Sequence, residues 1–350
     1  MVGLLVSVIV PVFNREAMIG ATVASLASQT LDNFEIIVVD DGSTDASAEV
    51  AERAGGKRVR VIGHGANRGI PAARNTGLEA ARGKYIAWLD SDDLARPRRL
   101  KRQAEFLARH PEIALVGSAS GRIGPDGQAR RGTMPFISHE TLAPALLFRS
   151  PFQQSSIMGV ARTLKDFEYR AEFPVCEDLD MFIRISRKHR LANVREALID
   201  RRLHEGQIGA VESALVRDRM RALLRKSLEE LGLEPSEADL DRHITLGTLQ
   251  QRPQSREFLG WAETWMKLLR ARNEDAGVYN SRGLALVCAR AWVRACYVSL
   301  HGNQRGAVAR VMLTSSLMMG FASSDAIEWL AQLLTPPAVA GLSRNTTQDS

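Results

Sequence analysis

The stretch Tyr85-Ile86-Ala87-Trp88-Leu89-Asp90-Ser91-Asp92-Asp93 is the point around which the chain is organised. Its first five residues form an apolar run that is typical of a buried strand, and three carboxylates gather where that run ends. Carboxylates so close together repel one another, and hard oxygen ligands of this kind suit Mg²⁺ or Mn²⁺. A divalent ion there could hold a diphosphate. The plainer interpretation is an acidic loop that precedes a helix beginning at Pro97.

Three further strand patterns precede this stretch, and helical patterns separate them. The β-branched runs Val6 to Phe13, Phe34 to Val39 and Val59 to Ile62 are typical of strands that are buried on both faces of a parallel sheet. Asn14 and Ser43 are predicted to cap the first two helices. Because strands that alternate with helices form parallel sheets with right-handed crossovers, ligands are expected beyond the carboxyl ends of the strands.

The turn after the first strand excludes a dinucleotide-binding Rossmann unit. Such a unit needs Gly-x-Gly-x-x-Gly at this point, whereas the chain has Pro11-Val12-Phe13-Asn14-Arg15-Glu16. Without a glycine, a pyrophosphate cannot approach the turn closely. The absence of a glycine-rich loop also argues against a sugar nucleotidyltransferase. A metal ion is therefore expected to carry the phosphates.

Composition narrows the class of protein and its location. The chain has 350 residues, 45% hydrophobic and 25% charged, which is ordinary for a globular protein with one large and one smaller domain. The net charge of +6 indicates anionic partners, but no recognition motif for nucleic acid accompanies it. The three cysteines match no zinc spacing, which favours a reduced cytoplasmic compartment. No apolar run reaches the roughly 18 residues that a membrane span requires.

Together, these motifs resemble the nucleotide-sugar glycosyltransferases of the GT-A fold, specifically family 2. The resemblance covers roughly residues 6 to 120, with looser matches to about 208. The matching residues are Ser7-Val8-Ile9-Val10-Pro11-Val12-Phe13-Asn14, Ser25-Leu26, Gln29-Thr30, Phe34-Glu35-Ile36-Ile37-Val38-Val39-Asp40-Asp41-Gly42-Ser43-Thr44-Asp45, Asn67-Arg68-Gly69, Ala73-Arg74-Asn75-Thr76-Gly77 and Leu89-Asp90-Ser91-Asp92-Asp93.

The resemblance implies a fold and a reaction. The expected fold is α/β, with a Rossmann-like, mainly parallel sheet flanked by helices over residues 1–211. The expected reaction is the transfer, with inversion, of a sugar from a nucleoside diphosphate sugar to a hydroxyl of a saccharide or lipid-linked saccharide. Synthesis of cell-surface polysaccharide or glycolipid is the expected context. The alternative is a catalytically silent nucleotide-sugar-binding module, against which the acidic motif residues argue.

The family also implies roles for the residues at the strand ends. Asp41 can accept a hydrogen bond from the base edge or the ribose hydroxyls. Asp90 is expected to meet the ribose, and Asp92 is expected to bind the Mg²⁺ or Mn²⁺ ion, whereas Asp93 has the alternative role of capping the next helix. Arg68 and Arg74 are either positive charges near the nucleotide or solvated helix residues. The residues expected to bind the nucleotide sugar are Pro11, Phe13, Asn14, Glu16, Asp41, Arg68, Arg74 and Asp90.

A later helix carries the expected catalytic base. Its apolar residues share one face, which places Glu177 and Asp178 at its positive N-terminus. The family places its base at the residue equivalent to Asp178, where it would take the proton that an acceptor hydroxyl loses as it attacks. Glu177 is the second candidate, with a role towards the acceptor or diphosphate, and Asp180 is expected to be structural. The plainer interpretation is the common placement of acids in a first turn.

Two further segments have positional matches to the family. The run from Arg201 to Ile208 resembles a flexible segment that follows the base. His204 could complete the metal shell or contact the diphosphate, and Arg202 could neutralise the diphosphate, or both could be surface or packing residues. Gln153 lies in the segment that matches the acceptor side, where it touches a sugar or only satisfies backbone groups.

The pattern changes to helices alone after about residue 212. We expect a small helical domain over residues 212–335 and a flexible tail over 336–350. This domain either packs on the catalytic domain and positions the acceptor, or attaches peripherally to an anionic membrane. The second interpretation would keep the protein at the inner face of the cell membrane. It rests on the basic residues Arg217, Arg219, Arg221, Arg225, Arg290 and Arg294.

Overall fold

The protein is described by a computed structural model that covers residues 3–130, 132, 136–204, 214–248, 255–299 and 315–321. Strands and helices alternate in the first part, as the periodicity of the sequence predicts. In chain order the elements are β1 (Val6–Val12), α1 (Glu16–Ala27), β2 (Phe34–Asp40), α2 (Ser47–Gly55), β3 (Val59–Gly63), α3 (Ile70–Ala80) and β4 (Tyr85–Trp88).

The second part of the sheet region is less regular, with short strands between the helices. Its elements are β5 (Leu94–Ala95), α4 (Arg99–Arg109), β6 (Ile113–Ile123), β7 (Ala129–Arg130), α5 (His139–Ala145), β8 (Met158–Val160), α6 (Ala161–Lys165), α7 (Glu177–Ser186) and β9 (Arg190–Arg202).

These strands form one sheet with the order β3-β2-β1-β4-β8-β6-β9-β5, and β7 pairs with β6. The four strands from β3 to β4 are parallel, and Val6 on β1 pairs with Phe34 on one side and Tyr85 on the other. Beyond β4 the sheet is mixed, because β8 runs antiparallel to both neighbours while β6 and β9 are parallel. The predicted fold class is confirmed, and the antiparallel strands are confined to the far half.

The central strand β1 is buried on both faces, which accounts for its β-branched composition. Val8 and Val10 pack with α1, where Ile19 and Val23 are fully buried. Ile9 points to the opposite face and packs with residues of α3, α6 and α7. Two helical layers therefore enclose the sheet, and the carboxyl ends of the parallel strands remain open to ligands.

Every element that the structure describes from residue 214 onwards is a helix, as predicted. They form α8 (Ala214–Glu229), α9 (Glu237–Thr248), α10 (Arg256–Ala276), α11 (Ser281–Ser299) and a 3-10 helix at Ser316–Phe321. Their apolar core includes Leu147 and Phe148, which follow α5 in the sheet region. None of the helices in the described ranges is long and apolar enough to cross a membrane. The predicted boundary at 211 and 212, the tail and Gly206 to Ile208 lie outside the described residues.

The two predicted helix caps are not found. Asn14 has a left-handed backbone with φ of 51°, and its Oδ1 accepts from the N–H of Thr44 at 2.9 Å. Ser43 Oγ accepts from the N–H of Asn14 at 3.0 Å. Because α1 and α2 begin only at Glu16 and Ser47, these polar side chains tie the loop after β1 to the loop after β2.

Candidate active site

A cleft of about 950 Å³ opens beyond the carboxyl ends of β1, β2 and β4. It is lined by the turn after β1, the acidic loop after β4, the segment from Arg149 to Ser155 and the start of α7. Val216, Met220 and Thr248 of the C-terminal helices also line it, so the cleft brings together residues that are up to 237 positions apart, from 11 to 248. The predicted site residues that line it are Pro11, Phe13, Asn14, Asp41, Arg74, Asp90, Asp92, Gln153, Glu177 and Asp178.

Four predicted residues, Glu16, Arg68, Arg202 and His204, do not line this cleft. The Glu16 carboxylate accepts from the N–H of Ala46 at 3.0 Å, which holds the loop before α2. Arg68 is exposed. Arg202 and His204 contact the acidic loop at Asp92, through the atoms described below.

Asp41 is buried, and protein groups already bond both of its carboxylate oxygens. Oδ1 lies 2.6 Å from Nδ1 of His64 and accepts from the N–H of Arg68 at 3.0 Å. Oδ2 accepts from the N–H of Gly69 at 2.8 Å. Asp41 therefore shapes the loop from 64 to 69 beside the cleft. Sequence reasoning missed His64, because no local pattern distinguishes it from a surface histidine.

Asp90 and Asp93 share a single serine. The Oγ of Ser155 lies 3.0 Å from Oδ2 of Asp90 and 2.5 Å from Oδ2 of Asp93. Asp93 also accepts from the N–H of Arg202 at 3.2 Å. The alternative role of Asp93 as a helix cap is wrong, since α4 begins only at Arg99. Ser155 was not predicted as a site residue.

Burial raises the pKa of Asp93 to about 7, and the negative charge of Asp90 acts in the same direction. The raised pKa of Asp93 agrees with the position of the Ser155 hydroxyl between the carboxyl groups of Asp90 and Asp93. A hydroxyl has one hydrogen to donate and cannot serve two ionised carboxylates at once. A protonated Asp93 can donate to the Oγ of Ser155, which leaves the hydroxyl hydrogen for Asp90. In that arrangement the Asp93 carboxyl is neutral, and Asp90 and Asp92 carry the charge of the acidic loop.

Arg74 is buried between the acidic loop and α7, so it is not a solvated helix residue. Its Nη2 donates to Oδ1 of Asp90 at 3.0 Å, and its Nε donates to Oε1 of Glu177 at 3.2 Å. The guanidinium carbon lies 5.6 Å from the centre of the Tyr169 ring. The buried Nη1 has no hydrogen-bond partner within the described ranges. Because an unsatisfied charged donor is costly, Nη1 is suited to an anionic oxygen in the cleft.

The three acids in the first turn of α7 have different surroundings. Glu177 is buried, and burial raises its pKa to about 7 while Arg74 opposes the shift. Asp180 is buried in ion pairs with Arg170 and Arg184. Asp178 is half-buried and lines the cleft. Within the described ranges, the one hydrogen bond to its carboxylate comes from the backbone N–H of the next residue, Leu179, at 2.7 Å from Oδ1.

The donor groups near Asp92 fit a hard cation that is partly held by substrate. Oδ2 of Asp92 lies 2.9 Å from Nε2 of His204. In the part of the chain that the structure describes, no three His, Cys, Asp or Glu side chains converge as a complete metal cage. Mg²⁺ is commonly bound by one or two carboxylates and fills its remaining positions with waters and phosphate oxygens. The carboxylate of Asp92 meets that requirement, and the imidazole of His204 lies beside it.

Arg202 fixes the acidic loop to α1. Its Nε donates to the backbone carbonyl of Asp92, and its Nη2 donates to the carbonyl of Met18 at 3.1 Å and to Oγ1 of Thr22 at 2.9 Å. The guanidinium is thus engaged with oxygens of the acidic loop and of α1. This geometry gives Arg202 a positioning role for the loop.

Comparisons with known proteins agree with this geometry. The family model for Glycosyl transferase family 2 matches residues 7–166. An uncharacterized glycosyltransferase of Haemophilus influenzae is 32% identical over 222 residues, which are 59% of this chain and 68% of that protein. The putative glycosyltransferase EpsE of Bacillus subtilis is 32% identical over 201 residues, which are 55% of this chain and 71% of that protein.

Solved structures show the same fold at lower identity. The crystal structure of S. aureus TarS 1-349 superposes with a TM-score of 0.53 and 20% identity, over 84% of this chain and 90% of that one. The same protein in complex with UDP-GlcNAc gives a TM-score of 0.54 with the same identity and coverage. With the strand-end motifs, the sheet and the relatives in agreement, this chain is a glycosyltransferase that belongs to family 2.

Proposed function

We propose that this glycosyltransferase moves a sugar from a nucleoside diphosphate sugar to an acceptor hydroxyl with inversion, in a reaction that requires Mg²⁺ or Mn²⁺. One observation carries the proposal. The acidic loop and the accessible carboxylate of Asp178 line one cleft, and buried Arg74 connects the loop to the helix that bears Asp178. Ion, donor and base would therefore meet in one space.

The nucleotide would occupy the part of the cleft formed by the first two strand ends. The turn from Pro11 to Asn14 offers an apolar wall and polar atoms for a base, and Phe13 is 41% exposed although it is large and apolar. Asp41 would act mainly through the loop that it shapes, since its oxygens already accept protein hydrogen bonds. Its remaining lone pairs can still accept from a base edge or ribose hydroxyl.

The diphosphate would lie near Arg74 and the acidic loop. Asp92 and His204 would hold the divalent ion, which when bound would stabilise the negative charge of the departing diphosphate as a Lewis acid. Arg74 would direct its unpartnered Nη1 towards a phosphate oxygen, and its position is fixed by Asp90 and Glu177. Protein groups thus orient the leaving group before the bond breaks.

Asp178 would act as the general base in a single displacement. Its carboxylate takes the proton of the acceptor hydroxyl as that oxygen bonds to the anomeric carbon and the bond to the diphosphate breaks. Burial raises the pKa of Asp178, which makes it a stronger base than a solvated aspartate. Glu177 is less suited to the role because it is ion-paired with Arg74.

Synthesis of cell-surface polysaccharide or glycolipid in the cytoplasm is the context that we propose. The arginines of α8 give little support to membrane attachment, because Arg221 pairs with Asp241 of α9 and Arg225 pairs with Glu237. Peripheral contact therefore stays a prediction. It would appear as co-sedimentation with anionic but not neutral vesicles, and it would weaken as ionic strength rises.

A panel of nucleotide sugars tests the proposed function. UDP-GlcNAc, the ligand of the TarS structure, is a convenient first member of that panel. At least one donor should raise the melting temperature in the presence of Mn²⁺ and should be hydrolysed slowly. With an acceptor, NMR of the product should show an anomeric configuration opposite to that of the donor. Donor binding with neither hydrolysis nor transfer would favour the silent binding module instead.

A further inference from the structure

A second cavity of about 190 Å³ lies beside the cleft, between β6, α9 and α11. Arg149, Ser150 and Gln153 line both spaces, so the cavity adjoins the cleft. Among the described residues, none of those assigned to the nucleotide lines the smaller cavity. The cavity is therefore on the side of the cleft that the sequence associates with the acceptor.

Arginines dominate the polar lining of this cavity. In the described part of the chain no Asp or Glu lines it, and the four arginines are Arg122, Arg149, Arg290 and Arg294. Arg96 and Arg98, by contrast, pair with the carboxylates of Asp200 and Glu196. Among the described lining residues, the cavity thus has four guanidinium groups and no carboxylate.

The positive charges extend from the cavity into the cleft. Arg122 on β6 is the register partner of Arg201 on β9, and Arg201 lines the cleft. The buried Nε of Arg122 has no hydrogen-bond partner among the residues described. Burial lowers the pKa of Arg122, and the charge of Arg201 acts the same way. Burial also lowers the pKa of Arg294 to about 10, with a further contribution from the charge of Arg149.

These arginines remain protonated near neutral pH, so their like charges repel one another. The side chains of Arg122 and Arg294 are half-buried, which leaves their charges only partly solvated. A phosphate relieves this repulsion better than a carboxylate, because it carries more charge and offers more oxygens to guanidinium forks. The volume corresponds to about six waters at roughly 30 Å³ each, which suits a phosphate or diphosphate group but not a nucleotide. Phe136 lies 4.2 Å from the guanidinium of Arg290 and holds one face of that group.

We propose that this arginine-lined cavity binds a phosphate or diphosphate group of the acceptor, so that the acceptor is a phosphate-bearing saccharide rather than a neutral one. The inference rests on the proposed function, because it takes the cleft to be the place where acceptor and donor meet. The anionic group anchors the acceptor in the cavity while its hydroxyl reaches Asp178. Arg149 and Gln153 line both spaces, so they would contact the part of the acceptor that lies between the cavity and Asp178.

Inorganic pyrophosphate provides a direct test that needs no donor. Its binding is measured by calorimetry at low ionic strength, in chelator and without nucleotide. Arg149→Gln and Arg294→Gln should each weaken binding by about tenfold or more, since each removes a charged donor. Arg98→Gln, which loses the same charge from a side chain that is 67% exposed, is the matched control and should bind as the wild type does.

Arg149 is exposed, so Arg149→Gln carries little risk of misfolding. Circular dichroism spectra of all three variants establish that they are folded. If the wild type binds no pyrophosphate, or if the two cavity variants bind it as tightly as Arg98→Gln does, the inference is overturned.

Acceptor preference separates this inference from the proposed function and identifies the source of the phosphate. A lipid-diphosphate-linked saccharide in micelles and a water-soluble saccharide phosphodiester are each compared with the dephosphorylated saccharide. At least one phosphorylated form should have a kcat/KM about tenfold or more higher, mainly through KM, and Arg149→Gln should lose the preference. The phosphorylated acceptor with the higher kcat/KM shows whether the phosphate group belongs to a lipid diphosphate or to a saccharide phosphodiester. Equal kcat/KM values alongside normal donor hydrolysis would refute the inference while leaving the transferase assignment intact.

Discussion

Arg74 on α3 donates through Nε to Oε1 of Glu177 at the start of α7, over 3.2 Å and across 103 residues of sequence. The same guanidinium donates to Asp90 through Nη2. One buried side chain therefore fixes the acidic loop relative to the helix that carries Asp178. Because its N–H donors form a rigid planar fork, arginine holds the two carboxylates in one fixed geometry, which the compact ammonium group of lysine does not impose.

Removing Arg74 should damage both stability and turnover. Arg74→Gln leaves Glu177 as a buried carboxylate without its cation, which should lower the free energy of unfolding by about 3–5 kcal/mol. Arg74→Lys keeps the charge but loses the bridge, so turnover should still fall although the loss of stability is smaller. Urea unfolding and donor hydrolysis measure the two effects. The surface variant Arg98→Gln should change stability by no more than about 1 kcal/mol; a similar value for Arg74→Gln would contradict the bridging role.

Substitution of Asp178 should affect turnover, whereas substitution of Asp180, also on α7, should affect stability. Asp178→Asn should reduce turnover by about 10²-fold or more while donor and metal binding persist, because neither is assigned to that carboxylate. Asp180→Asn should instead lower stability by about 1–3 kcal/mol through the loss of its pairs with Arg170 and Arg184, with turnover little changed. Steady-state kinetics and urea unfolding distinguish the two. Near-normal turnover of Asp178→Asn would move the base to Glu177.

The raised pKa of Asp178 also sets the direction of the pH dependence of turnover. A base works only when ionised, so turnover should fall as the pH is lowered through this raised pKa, at a higher pH than an ordinary aspartate would give.

The sequence was sufficient to predict the alternating strands and helices, because each is encoded by local periodicity. The β-branched runs of β1 and β2 and the acidic residues after β4 are readable within a few positions. Parallel pairing then places the strand ends together, which is why the acidic loop and the turn after β1 could be assigned to one site.

Contacts between distant segments could not be predicted in the same way. Arg74 has the local pattern of an exposed helix residue, and its burial depends on Asp90 and Glu177. Asp93 has the local pattern of a helix cap, whereas its partners Ser155 and Arg202 are 62 and 109 residues away. Asn14 is left-handed because groups after β2 bond it. In each case, contacts with distant residues outweigh the local preference of the sequence, and each of these residues lies beside the cleft.

His243 should make stability depend on pH in a defined window. The imidazole is fully buried, its Nε2 donates to the carbonyl of Leu147 at 2.7 Å and its Nδ1 accepts from the indole N–H of Trp265 at 2.9 Å. Burial lowers its pKa to about 4 from 6.5. Between these values the unfolded chain binds a proton that the folded chain does not, so stability should fall by about 3 kcal/mol as the pH drops from about 6.5 to 4.

His243→Gln is the matched variant, because an amide can donate to Leu147 and accept from Trp265 without titrating. Its unfolding free energy, measured in urea at several pH values, should lack this part of the slope. An unchanged slope would mean that His243 titrates normally in the folded protein.

Two helical glycines test how closely the C-terminal helices pack on the sheet region. A Cβ on Gly283 of α11 would overlap the backbone carbonyl of Glu140 on α5, whereas a Cβ on Gly260 of α10 has no atom within 4 Å. Gly283→Ala should destabilise the protein by about 1–3 kcal/mol or more, because backbone must move. Gly260→Ala should be neutral or stabilise it by up to about 1 kcal/mol. Equal effects in urea unfolding would argue against fixed packing and reopen the membrane interpretation.

The central claim is that the acidic loop supports metal-dependent sugar transfer, and Asp92→Asn tests it most directly. Donor hydrolysis and transfer by the wild type and the folded variant are measured with Mn²⁺ and with chelator. The wild type should be active with Mn²⁺ alone, and Asp92→Asn should lose both turnover and the metal-dependent rise in melting temperature that donor produces. Full activity of the wild type in chelator, or of Asp92→Asn under either condition, would contradict the account.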